Sequence, residues 1–247
     1  MIRVFQDFYS PQTLIRKTEL SYCWRQNSLS LAGETTNYVR CTANNSSGER
    51  DHNDQFLYYN AKRMSFSMWI QMAIQMSRND DICILLNSDI YLDAAFISQL
   101  HAIDLKTLDF LALSRYEIWP NIELTDNPHL KQDLWAFRFV DSHSSYYNEL
   151  SRRVDFNLGV PGCDNRMSGA AWELGFEILN PSKYLRSFHV HHDYSRNYTE
   201  TDRVFGLYYF PNATGLGESP SGCPAIFKRT QNSNAPVQMP PISIFFL

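Results

Sequence analysis

Three polar residues close the most hydrophobic run of the chain: Ile84, Leu85 and Leu86 lead directly into Asn87, Ser88 and Asp89. A strand buried on both faces that ends this way delivers a carboxylate to the carboxyl edge of a sheet, where open α/β folds bind their ligands. There Asp89 can hold a hard divalent cation whose other oxygen ligands come from phosphates. The same residues also suit an Asx-turn that simply closes the strand. A second group lies in PGCDNRM, residues 161–167: Pro161 and Gly162 make a turn, Asp164 and Asn165 open a helix, and Arg166 follows. Asp164 is either a helix cap or a base at the mouth of a site, able to take a proton from an incoming hydroxyl. The third group is SFHVHH, residues 187–192. On a strand His189 and His191 share one face, which suits two metal ligands, and His192 points to the other.

The elements that must position these groups follow from periodicity. IRVFQ (2–6) is a first strand with Asp7 at its end, and 13–27 carries a helical stripe through Leu14, Ile15, Leu20, Cys23 and Trp24. SLSLAGE (28–34) and NYVRCTA (37–43) are expected as short strands, and NNSSGERDHND (44–54) as a loop. One long helix is expected over 55–76, with Asp54 as its N-cap. A strand at 81–89, a helix near 94–103, strands at 109–118 and 133–140, a short helix at 144–153 and a turn–helix–strand unit over 161–182 complete the pattern. Strands alternating with helices in the first half predict a parallel, doubly wound sheet that becomes mixed in the second half. Residues 1–210 are expected to form the main domain. Residues 211–247, rich in Pro, Ser and Asn, are expected to form a loosely ordered arm.

Composition narrows the classes of function. The chain of 247 residues is 44% hydrophobic and 19% charged, which is globular, and its net charge of -4 gives no case for binding nucleic acid or an anionic membrane. The five cysteines are scattered without a CxxC pair, so reduced thiols are expected rather than a disulfide framework or a thiolate zinc site. No apolar run reaches the roughly 20 residues of a membrane span. MIRVFQDFY lacks the basic start and apolar middle of a signal peptide, so a cytoplasmic location is expected. Glycosylation triplets at Asn44, Asn45, Asn197 and Asn212 are of the kind that arise by chance in Asn-rich chains.

NSDIYLD at a strand end, then GCDNR…ELGFEILNPS, then HVHH resemble, in that order, the GT-A-type nucleotide-sugar glycosyltransferases, and the layout is similar to the family 2 kind over residues 2–200. The resemblance implies a Rossmann-type mixed sheet with helices on both faces, a nucleotide-diphosphate-sugar donor (UDP-, GDP- or dTDP-linked) and an acceptor hydroxyl, with Mn2+ or Mg2+ as cofactor. It places Asp89, His189 and His191 at the metal, Asp7, Asn87, Ser88, Asp89 and Arg63 at the donor, and Asp164 as the base of an inverting transfer. Asp133, Trp135, Asn165 and Arg166 fall on the acceptor side, although core packing is the stronger expectation for Trp135. Asn87 stands where the first acidic residue of a DxD motif is expected, and Cys163 where the family has a glutamate. Those departures keep a second reading open, a catalytically weak sugar- or nucleotide-binding module of the same fold. HVHHDY nearly spells a metallo-β-lactamase signature, but no histidine follows His192 to complete that ligand set.

Overall fold

The computed structural model describes residues 1–9, 11–33, 35–43, 55–59, 63–192, 198–229 and 242–246. The loop 44–54, with Asn44, Asn45 and Asp54, lies outside the described residues, as does Asn197. In chain order the first half runs β1 (Ile2–Phe8), α1 (Leu14–Ser30), β2 (Thr36–Ala43), β3 (Gln55–Tyr59), α2 (Phe66–Met76), β4 (Ile82–Leu86), β5 (Ile90–Leu92) and α3 (Phe96–Ile103). Then come β6 (Asp109–Ser114), β7 (Tyr116–Glu117), β8 (Glu123–Leu124), β9 (Gln132–Arg138), α4 (Ser144–Arg153) and α5 (Cys163–Glu173). The chain closes with β10 (Glu177–Leu179), β11 (Ser187–His189), β12 (Gly206–Pro211), β13 (Gly222–Arg229) and β14 (Ile242–Phe246).

Seven strands form the main sheet in the order β10-β6-β9-β4-β1-β2-β3. All run parallel except β9, which is antiparallel to both β4 and β6. The expected mixed α/β sheet is present. β4 is central and every residue of ICILL is buried. Alternate side chains feed different cores: Cys83 and Leu85 join Trp69, Trp135, Phe137 and Tyr147, whereas Ile82, Ile84 and Leu86 join Phe96, Leu100 and Leu134. This period of two is what a strand covered by helices on both faces requires, and each such side chain contributes about 1.5–3 kcal/mol of burial.

Local readings changed in three places. Residues 28–30 continue α1 rather than starting a strand, because apolar Leu20, Cys23 and Leu31 keep one helical face against the core. The helix expected over 55–76 is divided. Aromatic-rich QFLYY pairs in parallel with β2 as an edge strand, and the helix starts only after Ser65, whose hydroxyl accepts from the Met68 N–H at 3.2 Å. The strand expected over 109–118 breaks after a register shift at Leu113/Ser114, so β7 leaves for a second sheet. That sheet has the order β5-β11-β7-β8 and stands at the carboxyl edge of the first.

β12 crosses the 210/211 boundary and pairs antiparallel with β13, which pairs with β14. β12 packs hard on α5: a Cβ added at Gly169 would lie 2.1 Å from the Leu207 carbonyl oxygen, so only glycine permits the approach. Among the described residues no helix is long and apolar enough to cross a membrane.

Candidate active site

A cleft of about 600 Å3 opens where β1 and β4 end and β9 begins. The antiparallel strand matters here: reversal brings the first residues of β9 to the same edge as the last residues of β4, so the Asn87 N–H donates to the Asp133 carbonyl at 3.1 Å. The turn after β4 closes through the Ile90 N–H to the Asn87 carbonyl at 3.2 Å. Beneath it the buried Gln6 amide donates to the carbonyls of Asn87, Ser88 and Ile90 at 3.1, 3.2 and 2.9 Å, and Asn27 also donates to Ile90. With the turn's backbone satisfied from below, the side chains of Asn87 and Asp89 are committed to other partners, as the following contacts show.

The second sheet explains how Asp89 meets a histidine 100 residues away. β11 lies between β5 and β7, with His189 opposite Ile90 on one side and Glu117 on the other. His189 Nδ1 therefore faces Glu117 Oε2 at 2.7 Å, and its Nε2 faces Asp89 Oδ2 at 3.3 Å. His191 stacks on His189 with ring centroids 5.2 Å apart, and its Nδ1 lies 3.7 Å from the same Asp89 oxygen. From α1, Arg16 donates to that oxygen at 2.6 Å. Burial alone would push the Asp89 carboxyl up, but His189 and Arg16 outweigh it and hold it well below the usual carboxylate range. Burial would lower His189, yet Asp89 and Glu117 lift it to about 9. Glu117, also buried in part, is brought down to about 2 by His189 and Arg115.

On the other wall the sign reverses. Asp164 sits in the first turn of α5, after Gly162, whose positive φ of 79° starts the helix and whose added Cβ would fall 1.8 Å from the Tyr208 hydroxyl. Cys163 donates its thiol to Asp164 at 3.0 Å. Burial and then the charge of Asp133 push Asp164 up to about 7. Asp133 itself is tied to the Asn87 amide and to Arg115, which donates at 2.7 Å. Arg115 also donates to Glu117 at 2.8 Å, so a continuous chain of polar contacts links Asn87 to His189.

Asp7, Arg63, Asn87, Ser88, Asp89, Asp133, Asp164, Asn165, His189 and His191 all line the cleft. Two residues named for the acceptor side lie away from the cleft, Trp135 in the core as its stronger expectation had it. Trp135 is fully buried, edge-on to Phe66 at 4.8 Å; it shares the face of Asp133 but lies about 7 Å further along the strand and into the core. Arg166 points away from the cleft, donating to the Leu207 carbonyl and to Glu173, each at 3.1 Å. Asn165 spends its amide on His129, Gln132 and Tyr209, bracing β9 against β12. Cleft residues not anticipated from sequence are Arg16, Tyr9, Arg203 and the aromatic wall of Tyr208, Phe210 and Phe227, and Glu117 behind His189 was not anticipated either. For Arg16 a signal existed: a cation in the first turn of the helix after β1 must lie near the carboxyl edge.

The ligand atoms of Asp89, His189 and His191 all fall within 4.8 Å of one another, a compact oxygen and nitrogen set that suits a divalent ion. Glu117 supports the fit: accepting the Nδ1–H of His189 aims Nε2 toward Asp89, so that Nε2 is the nitrogen that would give up its proton to ligate an ion, the arrangement that orients metal-bound imidazoles.

No protein-family model matches the sequence, and no curated protein matches it. Among solved structures the chain is similar to residues 1–349 of S. aureus TarS in complex with UDP-GlcNAc, with a TM-score of 0.54 at 9% identity, covering 78% of this chain and 59% of that one. It is also similar to the mannosyltransferase PcManGT from Pyrobaculum calidifontis in complex with GDP-Man and Mn2+, with a TM-score of 0.49 at 11% identity over 80% of this chain and 58% of that one. The chain thus spans less than two thirds of the length of either. At such identities the likeness is one of architecture: the chain has the GT-A-type α/β fold of nucleotide-diphospho-sugar transferases.

Proposed function

We propose that the chain is a glycosyltransferase that moves a sugar from a nucleotide diphosphate to an acceptor hydroxyl, with a divalent ion held by Asp89, His189 and His191. The observation that carries this reading is the convergence of those three side chains in the same cleft as Asp164, at the carboxyl edge of the sheet. The fold shared with TarS, a protein solved with UDP-GlcNAc, supports it. Two imidazoles in the donor set favour Mn2+ over Mg2+, which prefers oxygen. When bound, the ion supplies Lewis-acid stabilisation of the charge that develops on the departing diphosphate. Asp7, Tyr9 and Arg63 line the same cleft; in this reading Asp7, in β1, serves the nucleoside, while Tyr9 and Arg63 lie toward the anionic oxygens of the diphosphate. The acceptor oxygen attacks the anomeric carbon while Asp164 takes its proton, and the bond to the diphosphate oxygen breaks. Attack from the face opposite the leaving group inverts the anomeric configuration. A carboxyl pushed up to about 7 is matched to proton transfer near neutral pH. Phe210 and Phe227, half-buried and backed by the buried ring of Tyr208, line the cleft with Asp164 and offer aromatic faces on which a sugar acceptor can stack.

A second reading, a binding module with little turnover, has one observation in its favour: the Asn87 amide is committed to Asp133. Hydrolysis of UDP-, GDP- and dTDP-sugars with and without Mn2+ separates the two. Turnover of one donor, dependent on Mn2+, is expected; nucleotide binding without turnover of any donor supports the module.

A further inference from the structure

Arg16 makes contacts that no sequence motif announces, and they bear on the metal reading just proposed, on which this inference rests. Its backbone is pinned, because the Thr13 hydroxyl caps α1 by accepting the Arg16 N–H at 3.2 Å. Its guanidinium donates from Nε to the Tyr9 hydroxyl at 2.9 Å, from Nη1 to Glu19 at 2.9 Å and from Nη2 to Asp89 Oδ2 at 2.6 Å. Nη1 also lies 3.0 Å from His191 Nδ1. A guanidinium has no acceptor, so that nitrogen must be accepting and its lone pair is engaged. Arg16 thus occupies two of the three atoms that would ligate an ion, the Asp89 oxygen and the His191 Nδ1.

Two cations cannot share these atoms, yet Arg16 has somewhere else to go. Glu19 is buried, held in place by the His192 backbone N–H, and already bonded to Arg16. Tyr9 anchors the other end of the guanidinium and lines the cleft where the diphosphate would lie. We propose that Arg16 is the resident counter-ion of the Asp89–His189–His191 site: it fills the site when no metal is bound and yields to an entering divalent ion. On yielding it keeps Glu19 and Tyr9 and turns its freed N–H groups to the donor diphosphate. Metal and diphosphate therefore bind with positive coupling, each favouring the arrangement that the other needs.

The test measures Mn2+ binding by the electron paramagnetic resonance signal of the free ion, in wild type, Arg16→Met, Arg16→Gln and Asp89→Asn, with and without UDP. Thermal melts confirm that each variant is folded, and Arg16→Gln serves if the methionine variant is not. In wild type UDP is expected to tighten Mn2+ binding about tenfold or more. Removing the guanidinium charge is expected to tighten Mn2+ binding without UDP by about tenfold and to shrink the effect of UDP. If wild type binds Mn2+ through Asp89 but the Arg16 variants bind it no more tightly, the counter-ion role is overturned and the metal site stands. If no variant binds Mn2+ above Asp89→Asn, with or without UDP, the metal reading itself falls and takes this inference with it.

Discussion

Asp89 and Asp164 line one cleft, and their surroundings drive them in opposite directions. Asp89 faces two cations, Arg16 at 2.6 Å and His189 at 3.3 Å, and stays charged far below neutrality. Asp164 faces another acid, Asp133, and keeps its proton up to about 7. In the reaction proposed above, two carboxylates of like chemistry would thereby take separate tasks, a permanent anion that collects cations and an acid–base group that exchanges a proton. The assignment comes from the neighbours and not from the aspartates: β11 carries His189 to one, and the reversed strand β9 carries Asp133 to the other.

The contrast is broken most severely at Asp89. Asp89→Asn leaves Arg16 and His189 buried without their shared anion, and donor turnover is expected to fall by about 10³-fold or more, with loss of Mn2+ binding. The same variant is expected to lose about 3–5 kcal/mol of stability in denaturant titrations, as broken buried pairs do. Asp164→Asn comes next: turnover is expected to fall by about 10²–10⁴-fold while UDP binding by calorimetry stays unchanged. Its pH behaviour sharpens the comparison. The turnover of wild type is expected to rise with pH and level off above about 7, as Asp164 loses its proton. Stability should move the other way. The folded chain holds this proton to about 7 and the unfolded chain releases it near 3.8, so stability falls as pH rises through that window. Asp164→Asn is therefore expected to melt higher than wild type at pH 8, by about 1–2 kcal/mol after allowing for the water that reaches the cleft, and to show no gain at pH 3. The mildest change is Glu117→Gln. It keeps the shape but weakens the acceptor behind His189, and is expected to loosen Mn2+ by about 10–100-fold with little change in UDP affinity.

How much of this could be read from residues alone depended on range. Asp89, Asp164, His189 and His191 announce themselves through local context, a strand end, a helix start and a period of two. β4 and β9 were equally plain, because strands covered on both faces spell continuous apolar runs. Glu117 had no such marker, since its role arises from which strands become neighbours: β11 inserted between β5 and β7 defines it, and no local period encodes that pairing. For Arg16 the helix start after β1 marks the place but not the partners. Trp135 kept two readings open, cleft and core, for a related reason. Its spacing from Asp133 fixes the face but not the depth, and depth separates cleft from core. Of the aromatic wall, Phe227 lay in a stretch whose Pro, Gly and Ser content masks β13, whereas Tyr208 and Phe210 belong to GLYYF, an apolar run that carries no local sign of a cleft.

The contact between Gly169 and Leu207 reaches further than local packing. Tyr208 and Phe210 line the cleft from β12, and how closely β12 lies on α5 depends on a residue with no side chain. A methyl group there would lift the sheet edge that bears Tyr208 and Phe210 away from the helix that begins at Asp164. In the proposed transferase, the breadth of acceptor that the cleft admits could thus evolve at a distance from every reacting atom.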